Sequence, residues 1–293
     1  MSAPPFLDLP EGVRATRIHT DRTDFAVLEA GTAGPRAVLV PGWTGSKEDF
    51  VAIIGPLAHA GYRIVAIDQR GQYETAGSAV EADYTMAALT ADLIALIDRI
   101  GRPVHLLGHS FGGLVARRVA IAEPEAVTSL TLLGSGPGPV RVDSHALLQA
   151  MADAIPAIGL PATWEAKRAY ERSQGMVQPP PEIERFMHTR FLANHPMSIR
   201  AITLHLTTAE DIVDAVARTG VPILVAFGAD DDGWPIDEQQ AMAERLGAPV
   251  AVIDGAGHSP AAEQPEQTVA VLKQFWATVD AMPLPRRHPP RSE

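Results

Sequence analysis

Cysteine is absent from the 293-residue chain, which excludes disulfides, thiolate metal sites and a cysteine nucleophile together. Positive charge is in deficit: 24 lysines and arginines face 35 aspartates and glutamates, for a formal net charge of -11. A phosphate-binding surface must be basic, so nucleic acid is excluded as a partner, and an anionic membrane surface is disfavoured. Lysine is scarce beside arginine, and alanine is abundant, a usage that goes with GC-rich bacterial genomes. The first ten residues lack a basic segment followed by an apolar run, so no secretory signal is expected. No uninterrupted apolar stretch reaches the length needed to cross a bilayer. The expectation is a soluble, cytoplasmic protein that does not touch a membrane.

What is present is an ordinary globular composition, 46% hydrophobic and 20% charged, long enough for one domain with an insertion. Short apolar, β-branched runs alternate with helical patterns, the signature of a parallel sheet with crossover helices. The runs are Ala37 to Pro41, Arg63 to Asp68, Val104 to Leu107, Thr128 to Leu133, Pro222 to Phe227 and Val250 to Ile253. Runs this apolar suit strands buried on both faces. Two earlier segments, Val13 to His19 and Phe25 to Glu29, alternate more and are expected to form an antiparallel edge. Helices are expected over Ser46 to Ala60, Met86 to Ile100, Phe111 to Glu123 and Pro265 to Val279.

The alternation stops between about Pro139 and Leu206, where helical patterns and proline-rich turns occur without a strand. The expected organisation is a core of residues 1–138, a helical insert of residues 139–206, a second part of the core in residues 207–282, and a disordered tail of residues 283–293.

Gly108-His109-Ser110-Phe111-Gly112 fits G-x-S-x-G between the strand Val104 to Leu107 and a helical pattern. A tight strand-to-helix turn pushes the central side chain into the open, and the glycines avoid clashes a Cβ would cause. The helix opening at Phe111 adds a positive dipole end beside Ser110. A serine hydroxyl needs a base at neutral pH. Of ten histidines, His258 stands in a small-residue loop straight after the strand Val250 to Ile253. That loop leaves the same sheet edge as Ser110, the edge on which catalytic groups gather. His109 adjoins the nucleophile, with its side chain expected to point away from that of Ser110. The loop after Phe227 carries Asp230, Asp231 and Asp232; chemistry alone does not choose among them.

At this point the chain resembles the α/β-hydrolase superfamily, in particular its cap-bearing serine hydrolases of the esterase, lactonase and haloperoxidase-like group. The likeness runs from about Phe25 to Val279. Besides the elbow it rests on Asp68-x-Arg70-Gly71, on Pro124 to Leu130, and on Gly255-x-Gly257-His258-x-Pro260 followed by Glu263 and Pro265-Glu266. Gly228-x-x-Asp231, with Pro235 four residues on, resembles the family's acid loop and selects Asp231. The resemblance implies an α/β-hydrolase fold: a mostly parallel central β-sheet flanked by helices, with a helical cap inserted after the sixth strand. It implies a Ser110-His258-Asp231 triad and an oxyanion hole made by the Trp43 and Phe111 amides. Two departures stand out: Pro41 where the family commonly has histidine, and Gln72-Tyr73-Glu74-Thr75 after Gly71.

The implied activity is hydrolysis of a carboxylic ester or lactone of a small, mainly apolar molecule through an acyl-enzyme, with neither metal nor organic cofactor. Trp43, His109, Trp164 and Trp234 are expected to contact substrate. A C–C bond hydrolase, a perhydrolase, or a ligand receptor on the same fold with little turnover would share these residues, and a homo-oligomer is left open.

Overall fold

The computed structural model describes residues 2–282; the tail expected to be disordered, 283–293, lies outside the described residues. Eight strands form one sheet: β1 (Arg14–His19), β2 (Asp24–Ala30), β3 (Arg36–Val40), β4 (Arg63–Ile67), β5 (Val104–His109), β6 (Val127–Leu133), β7 (Ile223–Gly228) and β8 (Val250–Ile253). Their spatial order is β1-β2-β4-β3-β5-β6-β7-β8. β1 pairs antiparallel with β2, and β2 with β4, while every other pair is parallel. The two alternating segments therefore form the antiparallel edge.

The period of two explains why the middle strands are apolar throughout. In β3, Val38 and Val40 join the core on one face, whereas Ala37 and Leu39 join the core on the other. In β5, Leu106 and Leu107 divide the same way. Helices cover both faces: α1 (Val51–His59), α2 (Met86–Ile100) and α3 (Phe111–Ala122) precede the insert. Residues 47–50, expected to open α1, instead make a separate 3-10 turn that buries Phe50. In α2, Thr85 caps the Ala88 amide and Leu89, Leu93, Leu96 and Ile97 face the sheet. Each such side chain contributes about 1.5–3 kcal/mol by leaving water. β8 is an edge strand and, unlike β7 beside it, leaves Val250 and Val252 exposed.

Between β6 and β7 lie α4 (Val142–Ser173), α5 (Pro181–Ala193), α6 (Pro196–Thr208) and the short α7 (Val213–Ala217). Within α4, Ser144–Ser173 is long and apolar enough to cross a membrane by length and composition, which the expectation of no such stretch did not foresee. It is not one straight rod. Gly159 (φ 73°, ψ 171°) breaks it, and its second half carries Lys167, Arg168 and Glu171 in mutual ion pairs. Ile155, Leu160 and Trp164 of α4 pack with Ile183, Met187 and Phe191 of α5 and with Ile199 of α6, forming a small core of the insert's own. After β7 the chain returns through α8 (Ile236–Leu246), α9 (Pro260–Glu263) and α10 (Pro265–Asp280).

Candidate active site

β5 delivers Ser110 on a strained turn. Its φ of 52° and ψ of -120° lie where a side chain costs on the order of 1–3 kcal/mol. The Ser110 amide donates to the Leu133 carbonyl at 2.9 Å, and the Gly113 amide donates to the Ser110 carbonyl at 2.9 Å. Glycine is required at two neighbours of the turn. A Cβ on Gly108 would stand 2.4 Å from the Gly112 oxygen, and one on Gly112 would stand 2.4 Å from the Val40 oxygen.

The loop after β8 places His258 Nε2 2.9 Å from Ser110 Oγ. On the other side of the ring, His258 Nδ1 lies 2.7 Å from Asp231 Oδ1. Asp231 Oδ1 also accepts the Gly233 amide at 2.8 Å, and Oδ2 accepts Gln239 Nε2 at 3.1 Å. Burial distinguishes the three aspartates: Asp231 is buried, whereas Asp230 and Asp232 are exposed. Burial alone would raise the Asp231 pKa. The His258 hydrogen bond and charge, with Gly233 and Gln239, outweigh it and hold the carboxyl below its ordinary value. Glu263 braces the histidine loop from below, accepting the Gly257 amide at 2.5 Å and the Ser259 amide at 2.9 Å.

His109 Nε2 donates to the His258 carbonyl at 2.8 Å. Full burial first, and then the charge of His258, push its pKa down to about 3. Neutral His109 therefore serves as a fixed donor. Its ring lies beside that of His258 and lines the cavity over Ser110.

The loop after β3 closes on Ser110 from the opposite side. A Cβ on Gly42 would fall 2.8 Å from Ser110 Cβ and 3.3 Å from its Oγ. Two glutamines after β4 hold this loop: Gln72 Nε2 donates to the Gly42 carbonyl and Gln69 Nε2 to the Pro41 carbonyl, both at 2.9 Å. With those carbonyls tied away, the peptide leading into Trp43 lies beside Ser110. Gln72, one of the two departures in the motifs, thus has a structural task at the site. Gln69, Gln239 and Glu263 act likewise on loops whose sequence carries no sign of these contacts, save Glu263 in the histidine-loop pattern.

A cavity of about 250 Å³ opens over Ser110, His258 and Trp43. The insert supplies its far wall through Leu147, Leu148, Met151, Lys167, Tyr170 and Met176. Two expectations need correction. Trp164 does not reach this cavity: it is buried in the insert's core against Phe191 and His188. Trp234 is fully buried and packs on Gly136, with Nε1 donating to the Gly138 carbonyl at 3.2 Å. It fixes the chain leaving β6 and lies beside the His258 ring rather than in the cavity. Asp231, Asp232 and His258 place ligand-type atoms within 4.8 Å of one another. Both Asp231 oxygens already accept protein donors, which leaves a cation little to bind.

Residues 37–271 match the sequence profile described as the Alpha/beta hydrolase family. A protein of Variovorax paradoxus (strain S110), provisionally named carbamate hydrolase RutD, is 30% identical over 270 residues that span 87% of this chain and 97% of that protein. A pimeloyl-acyl-carrier-protein methyl ester esterase of Aeromonas hydrophila is 25% identical, over 83% of this chain and 95% of its own. Among solved structures, a thermophilic esterase from Thermogutta terrifontis superposes with a TM-score of 0.76 at 24% identity, over 91% of this chain and 99% of that one. An enol-lactonase from Burkholderia xenovorans LB400 gives 0.75 at 17%, over 89% and 100%. At such identities the two structures bear on the fold alone.

Proposed function

Because the chain belongs to the alpha/beta hydrolase family and is an enzyme of that fold, we propose that it cleaves a carboxylic ester or lactone of a small, mainly apolar substrate through Ser110, His258 and Asp231. The observation that carries the reading is the continuous chain of contacts from Asp231 Oδ1 through His258 to Ser110 Oγ, at 2.7 and 2.9 Å. Such a chain at the floor of a cavity is the arrangement acyl transfer needs.

In the first step Ser110 Oγ bonds to the carbonyl carbon while His258 Nε2 takes its proton. The carbonyl electrons move to oxygen, and the resulting oxyanion accepts from the Trp43 and Phe111 amides. Each such donor contributes about 3 kcal/mol to the transition state. Collapse breaks the bond to the leaving oxygen, which receives the proton from His258. Water then repeats the sequence on the acyl-enzyme and releases the acid. Asp231 keeps Nδ1 protonated and stabilises the imidazolium.

The apolar wall of Leu147, Leu148 and Met151 favours a hydrocarbon acyl or alcohol group. The relatives are named for a carbamate and a methyl ester; both are acyl carbons bearing a heteroatom leaving group, as the reading requires. Hydrolysis of p-nitrophenyl esters of increasing acyl length, with the wild type beside Ser110→Ala, tests it. Turnover that peaks at one chain length and vanishes in the variant is expected; equal turnover by both proteins would overturn the mechanism.

A further inference from the structure

Arg117 of α3 carries a buried charge that the protein leaves without a counterion. Its side chain is 1% exposed. Nη1 donates to the Pro137 carbonyl at 2.9 Å, whereas Nε has no hydrogen-bond partner. Among the described residues no carboxylate forms an ion pair with it. The carboxylate whose charge acts on it, Asp211, is committed to Arg245 at 2.6 Å and to the Val213 amide at 3.0 Å. Burial accordingly pushes the Arg117 pKa down to about 10. An uncompensated guanidinium inside a protein is strongly unfavourable, and buried polar groups normally find partners.

Arg117 lines a cavity of about 300 Å³ whose wall is separate from that of the Ser110 cavity. Arg118 stands in the same wall, held by the exposed Glu210 at 3.1 Å. The remaining walls include apolar Met86, Leu114 and Ile212. A guanidinium matches the two oxygens of a carboxylate, and the apolar walls suit a hydrocarbon attached to it. We propose that this cavity is a second ligand site, which binds the carboxylate of a small organic acid on Arg117 and Arg118 with its hydrocarbon against Met86, Leu114 and Ile212. The site lies where the chain leaves the sheet for the insert, since Pro137 is in that connection, and His205 of its wall stacks on Phe111 at 6.2 Å.

Calorimetric titration with octanoate tests the assignment, with octanol and inorganic phosphate as probes of the charge and the tail. Arg117→Met and Glu210→Gln are compared with the wild type. Arg117→Met should weaken octanoate by at least about tenfold, while melting no lower than the wild type because it removes an unpaired charge. Glu210→Gln frees Arg118 and should tighten octanoate by several-fold. Octanol and phosphate should both bind more weakly than octanoate. Octanoate affinity unchanged in both variants would place any binding elsewhere, in the Ser110 cavity for instance, and would overturn the proposal. So would phosphate binding as tightly as octanoate, or no octanoate binding by the wild type at millimolar concentration. If Arg117→Met fails to fold, Glu210→Gln decides alone: tighter binding supports the site and unchanged affinity overturns it.

Discussion

Gly233 lies against the face of His258 so closely that a Cβ there would fall 2.3 Å from the ring's Cε1 and 2.5 Å from Nδ1. The acid loop thus reaches the imidazole twice, through the Asp231 carboxylate and through the bare backbone at Gly233. Gly233→Ala must displace the ring from Ser110. A misplacement of about 1 Å costs on the order of 100-fold in rate. We expect kcat on a p-nitrophenyl ester to fall by about that factor while the circular dichroism spectrum stays that of the wild type.

Asp231 takes the His258 proton side, and its two neighbours face solvent. Asp231→Asn presents an amide to Nδ1 and favours the wrong tautomer, with a loss of kcat on the order of 10⁴ by analogy with the serine protease triad. Asp230→Asn and Asp232→Asn should stay within about tenfold of the wild type, because neither carboxylate hydrogen-bonds the imidazole. Steady-state kinetics on the three variants check the ranking.

The buried, neutral His109 makes stability depend on pH. The unfolded chain takes a proton on this residue near pH 6.5, whereas the folded protein resists doing so until about pH 3. Between those values the unfolded state holds more protons, so stability falls as pH falls. His105, also held below its ordinary pKa by burial, acts in the same direction. Urea midpoints measured from pH 7 to pH 4 should decline, and His109→Gln should flatten the decline.

Arg190 of α5 bolts the insert to the core. It donates to Asp49 Oδ1 at 2.7 Å and to the Ser2 carbonyl at 2.6 Å, with both charged side chains buried. Arg190→Met leaves Asp49 buried and unpaired, a loss of about 3–5 kcal/mol. Adding Asp49→Asn should recover most of it, which a double-mutant cycle of denaturation midpoints will measure.

Much of this arrangement was legible in the sequence because the candidate catalytic residues sit directly after strands. Ser110, Asp231 and His258 each follow an apolar run, and the chain order alone puts them on one sheet edge. The apolar alternation of β3 and β5 likewise announced a sheet buried on both faces. Trp164 and Trp234 were misplaced for a physical reason. A tryptophan near a site fills a core as readily as it lines a cavity, and only the packing around Phe191 and Gly136 distinguishes the two. Contacts such as Gln72 to the Gly42 carbonyl join residues 30 apart in sequence, and neither residue carries a local signal of the other. The break at Gly159 was also silent, since glycine within a helical pattern does not say whether the helix continues.

The central claim is that Ser110 is the nucleophile, and the most direct measurement is peptide mass spectrometry after reaction with diethyl p-nitrophenyl phosphate. A covalent diethyl phosphoryl group on Ser110, one per chain and matched by full loss of esterase activity, is the predicted result. Full inactivation with the label on another residue, or an unlabelled Ser110 in a protein that still hydrolyses esters, would contradict it.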